Sequence, residues 1–246
     1  MKSLPCTAAA GALAIFAALL APTGTAHADP EDWTAPPTYS ASPEHFGLEL
    51  RLGVYHPEGL GPAFSSPEYF GGDFGPMLSF ELHYFPWRIP YIGLVGAGGG
   101  LGWSQWDTPS PGSTPTGGET QETDRNVFEI ITVRPFLLLR FDTLARELNF
   151  PIVITPKIGL DVAHWLTSAG GSSEADGWSI GPRFAGKVSL ELDFLEPRAA
   201  RQLDEEWGIN HSEIFFELYY SMAGELVGGQ LPMSGWGWAA GLGFTF

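Results

Sequence analysis

Residues 178–194 read WSIGPRFAGKVSLELDF. Trp178, Ile180, Phe184, Val188, Leu190, Leu192 and Phe194 share one parity, and Arg183, Lys187, Glu191 and Asp193 share the other. A period of two sustained over the whole stretch predicts a strand with two unlike faces. The second face decides the fold, because it carries charges of both signs. A soluble sheet would turn such a face to water, whereas a barrel in lipid would turn it inward.

Working outward, the same alternation recurs along the chain. In FGLELRLGVY (46–55), Phe46, Leu48, Leu50, Leu52 and Val54 oppose Gly47, Glu49, Arg51, Gly53 and Tyr55. PMLSFELHYF (76–85) sets Leu78, Phe80, Leu82 and Tyr84 against Ser79, Glu81 and His83. YIGLVGAGGGLGWSQW (91–106) puts Tyr91, Val95, Ala97, Leu101 and Trp103 opposite a glycine-rich side. Residues 127–141 alternate less cleanly, with Arg134 and Arg140 on the charged face and Glu129 on the apolar one. In 152–166, Lys157 and Asp161 oppose Ile154, Ile158, Leu160 and Val162; in 213–223, Glu217, Tyr219 and Ser221 oppose Ile214, Phe216, Leu218, Tyr220 and Met222. The last stretch, GWGWAAGLGFTF (235–246), faces Trp236, Trp238, Leu242, Phe244 and Phe246 one way and glycines the other. Each of these eight candidate strands reaches the roughly 9–11 residues that cross a bilayer at a tilt. A sheet in lipid must close on itself, so the last strand is expected to pair with the first.

The connections alternate in character too. Segments 56–75, 107–125, 168–177 and 224–234 are polar and rich in Gly, Ser, Pro and acids, while PWRIP (86–90) is a tight turn. DTLARELNFP (142–151) and LEPRAARQLDEEWGINHS (195–212) each suit a short amphipathic helix. Trp103, Trp106, Trp165, Trp178 and Trp236 mark the strand ends beside the polar loops, and Trp87, Tyr91, Phe141, Phe150 and Phe194 mark the opposite ends. Two aromatic belts are expected at the two interfaces of a membrane.

Residues 1–28 read as a cleavable secretory signal: a lysine, an apolar run from Ala8 to Ala21, then small residues ending in Ala28. Cys6 is the sole cysteine and precedes that run, so neither lipidation nor a disulfide is expected in the mature chain. Residues 29–43 are proline-rich and aperiodic, an extended periplasmic leader, and 44–246 form the barrel. With a formal net charge of -16 and only 12 Lys and Arg, the chain is no nucleic-acid or polyanion binder.

SPEHFGLELRLGVYHP (42–57), GPMLSFELHYFPW (75–87) and GLVGAGGGLGW (93–103) resemble an outer-membrane β-barrel family of myxobacteria and related bacteria. More loosely, the whole mature chain resembles the small eight-stranded barrels of the OmpA and OmpW kind. The family has no assigned activity, so the resemblance implies an integral outer-membrane protein and transfers no functional residue. The aromatic C-terminal strand, with Trp238, Leu242, Phe244 and Phe246, resembles the signal read by the barrel assembly machinery.

The remaining motifs carry little chemistry. GAGGGLG (96–102) misses the GxGxxG spacing at Leu101 and lies inside a strand, where glycine relieves crowding between neighbouring side chains. His164 and Ser168 share the lipid-facing parity near the outer end of their strand, as in barrels that trim lipid A. Four residues of strand separate them by more than about 13 Å, beyond the reach of general-base catalysis. The histidines are scattered without paired metal spacing, and ETQETD (119–124) reads as a solvated acidic loop.

The expected molecule is therefore an all-β, eight-stranded antiparallel transmembrane up-and-down barrel in the outer membrane, in contact with its lipids, without cofactor, metal or enzymatic activity. Its interior is expected to hold a charged network of Glu49, Arg51, Glu81, His83, Arg134, Lys157, Asp161, Arg183, Lys187, Glu191 and Glu217. Three roles stay open: structure or surface interaction through the loops, conduction of a small solute or hydrophobic compound, and modification of lipid A.

Overall fold

The computed structural model describes residues 42–57, 75–109, 125–148, 150–169, 172–227 and 233–246. Residues 1–41, which include the expected signal and most of the leader, lie outside that set, as does most of the two longest loops. The strands are β1 (Phe46–Pro57), β2 (Gly75–Ile89), β3 (Gly93–Pro109), β4 (Arg125–Phe141), β5 (Ile152–Ala169), β6 (Ser172–Glu191), β7 (His211–Ala223) and β8 (Met233–Thr245). Two helices interrupt them, α1 (Thr143–Leu148) and α2 (Pro197–Trp207).

Each strand pairs antiparallel with its sequence neighbours, and β1 pairs with β8, so the sheet is a closed barrel in chain order. Closure leaves no free sheet edge among these strands. Its register sets Leu48 against Phe244, Leu50 against Leu242 and Val54 against Trp238, large residue beside large residue on the outer face. The C-terminal residue is paired as well: Phe246 N donates to Phe46 O at 2.8 Å, and Phe46 N and His45 N donate to Phe246 O at 3.0 and 2.6 Å.

Several boundaries differ from those that composition and alternation suggest. The β5 and β6 strands run to Ala169 and from Ser172, so the segment 168–177, a loop by its composition, is mostly a hairpin. At the other end β6 stops at Glu191 rather than running through Phe194, where a turn leads to α2. Both helices lie in the two connections whose sequences suit amphipathic helices. Pro197 opens α2, and Gly208, in the left-handed region at φ 68°, closes it by donating to Asp204 O at 2.9 Å.

Candidate functional site

The outer wall is apolar. Leu52, Leu78, Leu82, Leu137, Ile158, Phe184, Val188 and Leu218 are all exposed on it, and Leu137 is 63% exposed. Inside, every strand turns its other parity into the lumen. Soluble barrels have the opposite arrangement, so the solvent of the outer wall is lipid and the strands are transmembrane. One aromatic ring is Trp103, Trp178, Trp236 and Trp238, the other Trp87, Tyr91, Phe150 and Phe194, all exposed. Trp106 and Trp165, which their positions near strand ends assign to the first ring, are instead buried inside at 5% and 6% exposure. Each stands on the inner parity of its strand, and a Cβ at Gly177 on β6 would strike the Trp165 ring, so glycine there makes room for it. Glu129, the acid on the outer parity, accepts from Trp103 Nε1 at 2.6 Å within the aromatic ring.

All eleven residues assigned to the interior network lie in the lumen, buried to 9% exposure or less. Their geometry has a logic that the strand pattern hides. Glu49 and Glu81 stand directly opposite each other across β1 and β2, and Glu191 and Glu213 across β6 and β7. Like charges opposed in this way repel unless a cation lies between them. In the first pair, Arg51 reaches Glu49 at 2.8 Å and Glu81 at 2.5 Å. Lys157 crosses from β5 to meet the same two at 3.1 and 2.6 Å. In the second pair, Arg140 crosses from β4 to Glu191 at 2.8 Å and Glu213 at 2.6 Å. Lys187 joins the two groups, at 2.7 Å from Glu49 and 2.5 Å from Glu213.

Glu217 sits at the centre, fully buried. It meets Arg51, Lys157 at 3.0 Å and Arg183 at 3.2 Å, while Arg183 also approaches Asp161 at 3.4 Å. His83 lies 3.6 Å from both Glu49 and Glu81. Arg134 is buried among these groups, yet its Nε, Nη1 and Nη2 meet no hydrogen-bond acceptor among the described residues. Two members lie outside the set expected from the sequence: Arg140, although its parity puts it on the charged face of β4, and Glu213. The latter has the parity of Glu217 near the start of β7, within the stretch 213–223 that the alternation marks as a strand.

Apolar clusters lie inside the barrel as well. Tyr55, Met77, Trp106, Phe128, Ile130, Trp165, Tyr219 and Met233 form the larger one, toward the end that bears the long loops. Phe85, Leu94, Phe136 and Leu138 form the smaller one. Inner glycines make space for these groups: a Cβ at Gly98 would lie 2.5 Å from the Phe136 ring, and one at Gly237 would overlap Tyr219. Described inner surfaces are thus filled by side chains.

At the turn end, Glu44 just before β1 gathers Arg88 at 2.8 Å, Arg146 of α1, and His211 at 3.5 Å. Asp142 accepts from Arg88 at 2.7 Å and lies 3.1 Å from Arg146 Nε. Burial pushes the Glu44 carboxyl up, but His211, Arg146 and Arg88 outweigh it and hold the group at about 2, below its ordinary 4.5. Ser42 N donates to Asp204 of α2 at 3.3 Å, and Asn210 Nδ2 donates to Ser42 O at 2.5 Å, so the chain entering β1 is tied across this end.

The sheet brings together two acid and histidine groups that sequence spacing does not show, Glu49 with Glu81 and His83, and Glu191 with Asp193 and His211. Protein cations already occupy the first, and Glu191 is engaged by Arg140 while His211 bonds Asp193 at 2.5 Å, so neither donor set is free for a metal. On the outer wall His164 faces Asp176 at 3.4 Å. Ser168 stands four residues along the strand from His164, more than about 13 Å away and beyond the reach of general-base catalysis.

No protein-family model and no curated protein sequence matches the chain. Among solved structures it is similar to Ail, the attachment invasion locus protein of Yersinia pestis, in complex with the heparin analogue sucrose octasulfate. That likeness is at 12% identity, covers 82% of this chain and 97% of that one, and has a TM-score of 0.44. Neisserial surface protein A is similar at 13% identity over 85% of this chain and 100% of that one, with a TM-score of 0.44. A major outer membrane protein of Thermus thermophilus is similar at 11% identity over 82% and 99%, with a TM-score of 0.38. The closed eight-stranded antiparallel barrel stands on its own strand pairing.

Proposed function

We propose that this chain is an integral outer-membrane barrel that works as a rigid mount for its exterior loops, in a structural or surface-interaction role, and not as a conduit or an enzyme. The observation that carries this reading is the cross-braced lumen. Cations from β4 and β5 clamp acid pairs on other strands, and apolar clusters accompany them, so side chains fill the described interior. A packed lumen fixes strand register and leaves recognition to the loops.

Residues 1–28 direct export and 29–43 lead into the barrel from the periplasm, which puts α1, α2 and both termini of the barrel on the periplasmic side. The segments 58–74 and 110–124 then face outward. They carry Glu58, Glu68, Asp73, Glu119, Glu122 and Asp124 and neither Lys nor Arg. A partner for them is neutral or cationic, and a sulfated polyanion such as the ligand named for Ail is not expected. Trp238, Leu242 and Phe244 on β8, with Phe246 just beyond it, present the signal for the barrel assembly machinery. Kinship with the myxobacterial family rests on the stretches 42–57, 75–87 and 93–103.

The test is expression with cell fractionation, heat-modifiable mobility on gels, and reconstitution into planar bilayers. Outer-membrane recovery, a mobility shift on heating and no steady conductance are expected. Stepwise conductance of the purified protein would overturn the mount reading, and recovery in the soluble fraction would overturn membrane insertion itself.

A further inference from the structure

We infer that Arg134 anchors a buried site for a small monovalent anion, chloride or a like halide, inside the barrel. The argument begins with donors. Arginine carries five N–H groups and cannot shed its charge, and a buried guanidinium without acceptors is strongly unfavourable. Arg134 is 1% exposed, and all three of its nitrogens lack a hydrogen-bond partner among the described residues. Thr132 Oγ1, two residues along the same inner face, lacks one as well.

Arg134 borders a small cavity lined also by Tyr55, Met77, Thr132, Asp161 and Arg183. The space holds about one water-sized particle. Its nearby acids are engaged elsewhere: Asp161 and Glu217 with Arg183 at 3.4 and 3.2 Å, and Glu81 with Arg51 and Lys157 at 2.5 and 2.6 Å. Over the whole strand interior Glu49, Glu81, Asp161, Glu191, Glu213 and Glu217 match the same number of Arg and Lys, but the match is uneven along the axis. Glu191 and Glu213 are held by Arg140 and Lys187, while Arg134 and Arg183 line the cavity with Asp161 as its only acid. Balance elsewhere does not satisfy a guanidinium whose nitrogens make no hydrogen bond among the described residues.

The position of Arg134 is built into the sheet. A Cβ at Gly102 on β3 would lie 2.6 Å from Thr132 Oγ1 and 2.8 Å from Arg134 Nη2, so glycine leaves the bed in which both donors rest. Tyr55 and Met77, members of the larger apolar cluster, close the same cavity. Low local polarity there strengthens an ion pair. Room for only one particle, faced by the N–H donors of Arg134, selects a monatomic anion over sulfate or phosphate.

The test uses the full mature barrel in detergent. Thermal unfolding is followed in sodium chloride, sodium bromide and sodium gluconate at equal ionic strength. A saturable rise in Tm with chloride and bromide over gluconate is expected, as for any ligand that binds the folded state alone. Arg134→Gln should abolish that dependence, and crystals of the unaltered protein grown in bromide should show anomalous density within hydrogen-bond distance of Arg134. Equal Tm in all three salts, or density for water only at Arg134, would overturn the site. Should the variant fail to fold, the bromide density in the unaltered protein decides alone.

Discussion

At the residue scale, Glu217 and Glu44 make opposite demands on an experiment. Glu217 is completely buried and shared by three cations. Glu217→Gln removes the charge and leaves Arg51, Lys157 and Arg183 under-compensated, so unfolding in detergent should be easier by about 3–5 kcal/mol. A loss below about 1 kcal/mol in urea titrations would mean that the lumen is wet. Glu44 lies outside the strands, and its carboxyl titrates near 2 in the folded chain against an ordinary 4.5. A carboxyl depressed by folding contributes stability that is present above about pH 4.5 and is lost as the pH falls toward 2. Glu44→Gln should therefore lower Tm at pH 7 and flatten the fall in Tm between pH 5 and pH 2, which a pH series of melts on both proteins would read.

Elements are held by what their neighbours omit. Tyr219 of β7 lies over Gly237 of β8 and donates to Val54 O of β1 at 3.2 Å, so it bridges the strands on both sides of the closing seam. Gly237→Val would drive a side chain into that ring, and overpacking of this kind costs about 1–3 kcal/mol. The expected result is a lower refolding yield into detergent, with Gly99→Val, whose Cβ would meet nothing within 4 Å, as the silent control. Just beyond the end of β8, Phe246 closes the ladder to Phe46. If the assembly machinery reads Trp238, Leu242, Phe244 and Phe246, removing Phe246 should reduce insertion in cells far more than spontaneous folding in detergent. Equal losses in both settings would mean that the residue acts through its ladder alone.

For the whole molecule, the decisive property is that lipid and charge have exchanged the places they hold in a soluble barrel. A soluble homologue of this sheet would bury Leu52 and Leu137 and hydrate Glu49 and Arg51. Here the leucines are exposed and the charged pair is buried. The closed, cross-braced interior predicts planar bilayers without steady current, and a single neutralisation such as Arg140→Gln should destabilise the barrel before it opens one. Conductance gained with unchanged stability would show that Arg140 gates a path.

Alternation by itself determined the strands, the face that meets lipid and the face that carries charge, because a period of two is local and each residue reports it without reference to any other. Hence the inward side of Arg183, Lys187 and Glu191 was legible in residues 178–194. Tertiary structure alone decided which charges meet. Lys157 and Arg140 reach across the lumen to acids more than fifty residues away, and those acids stand in like-charged pairs that strand parity cannot register. The inward turn of Trp106 and Trp165 follows from parity, since each stands on the inner face of its strand, and their nearness to a strand end is the weaker signal. What the closed sheet adds is the room for the Trp165 ring, left by Gly177 on the next strand, because that neighbour exists only once the strands have paired.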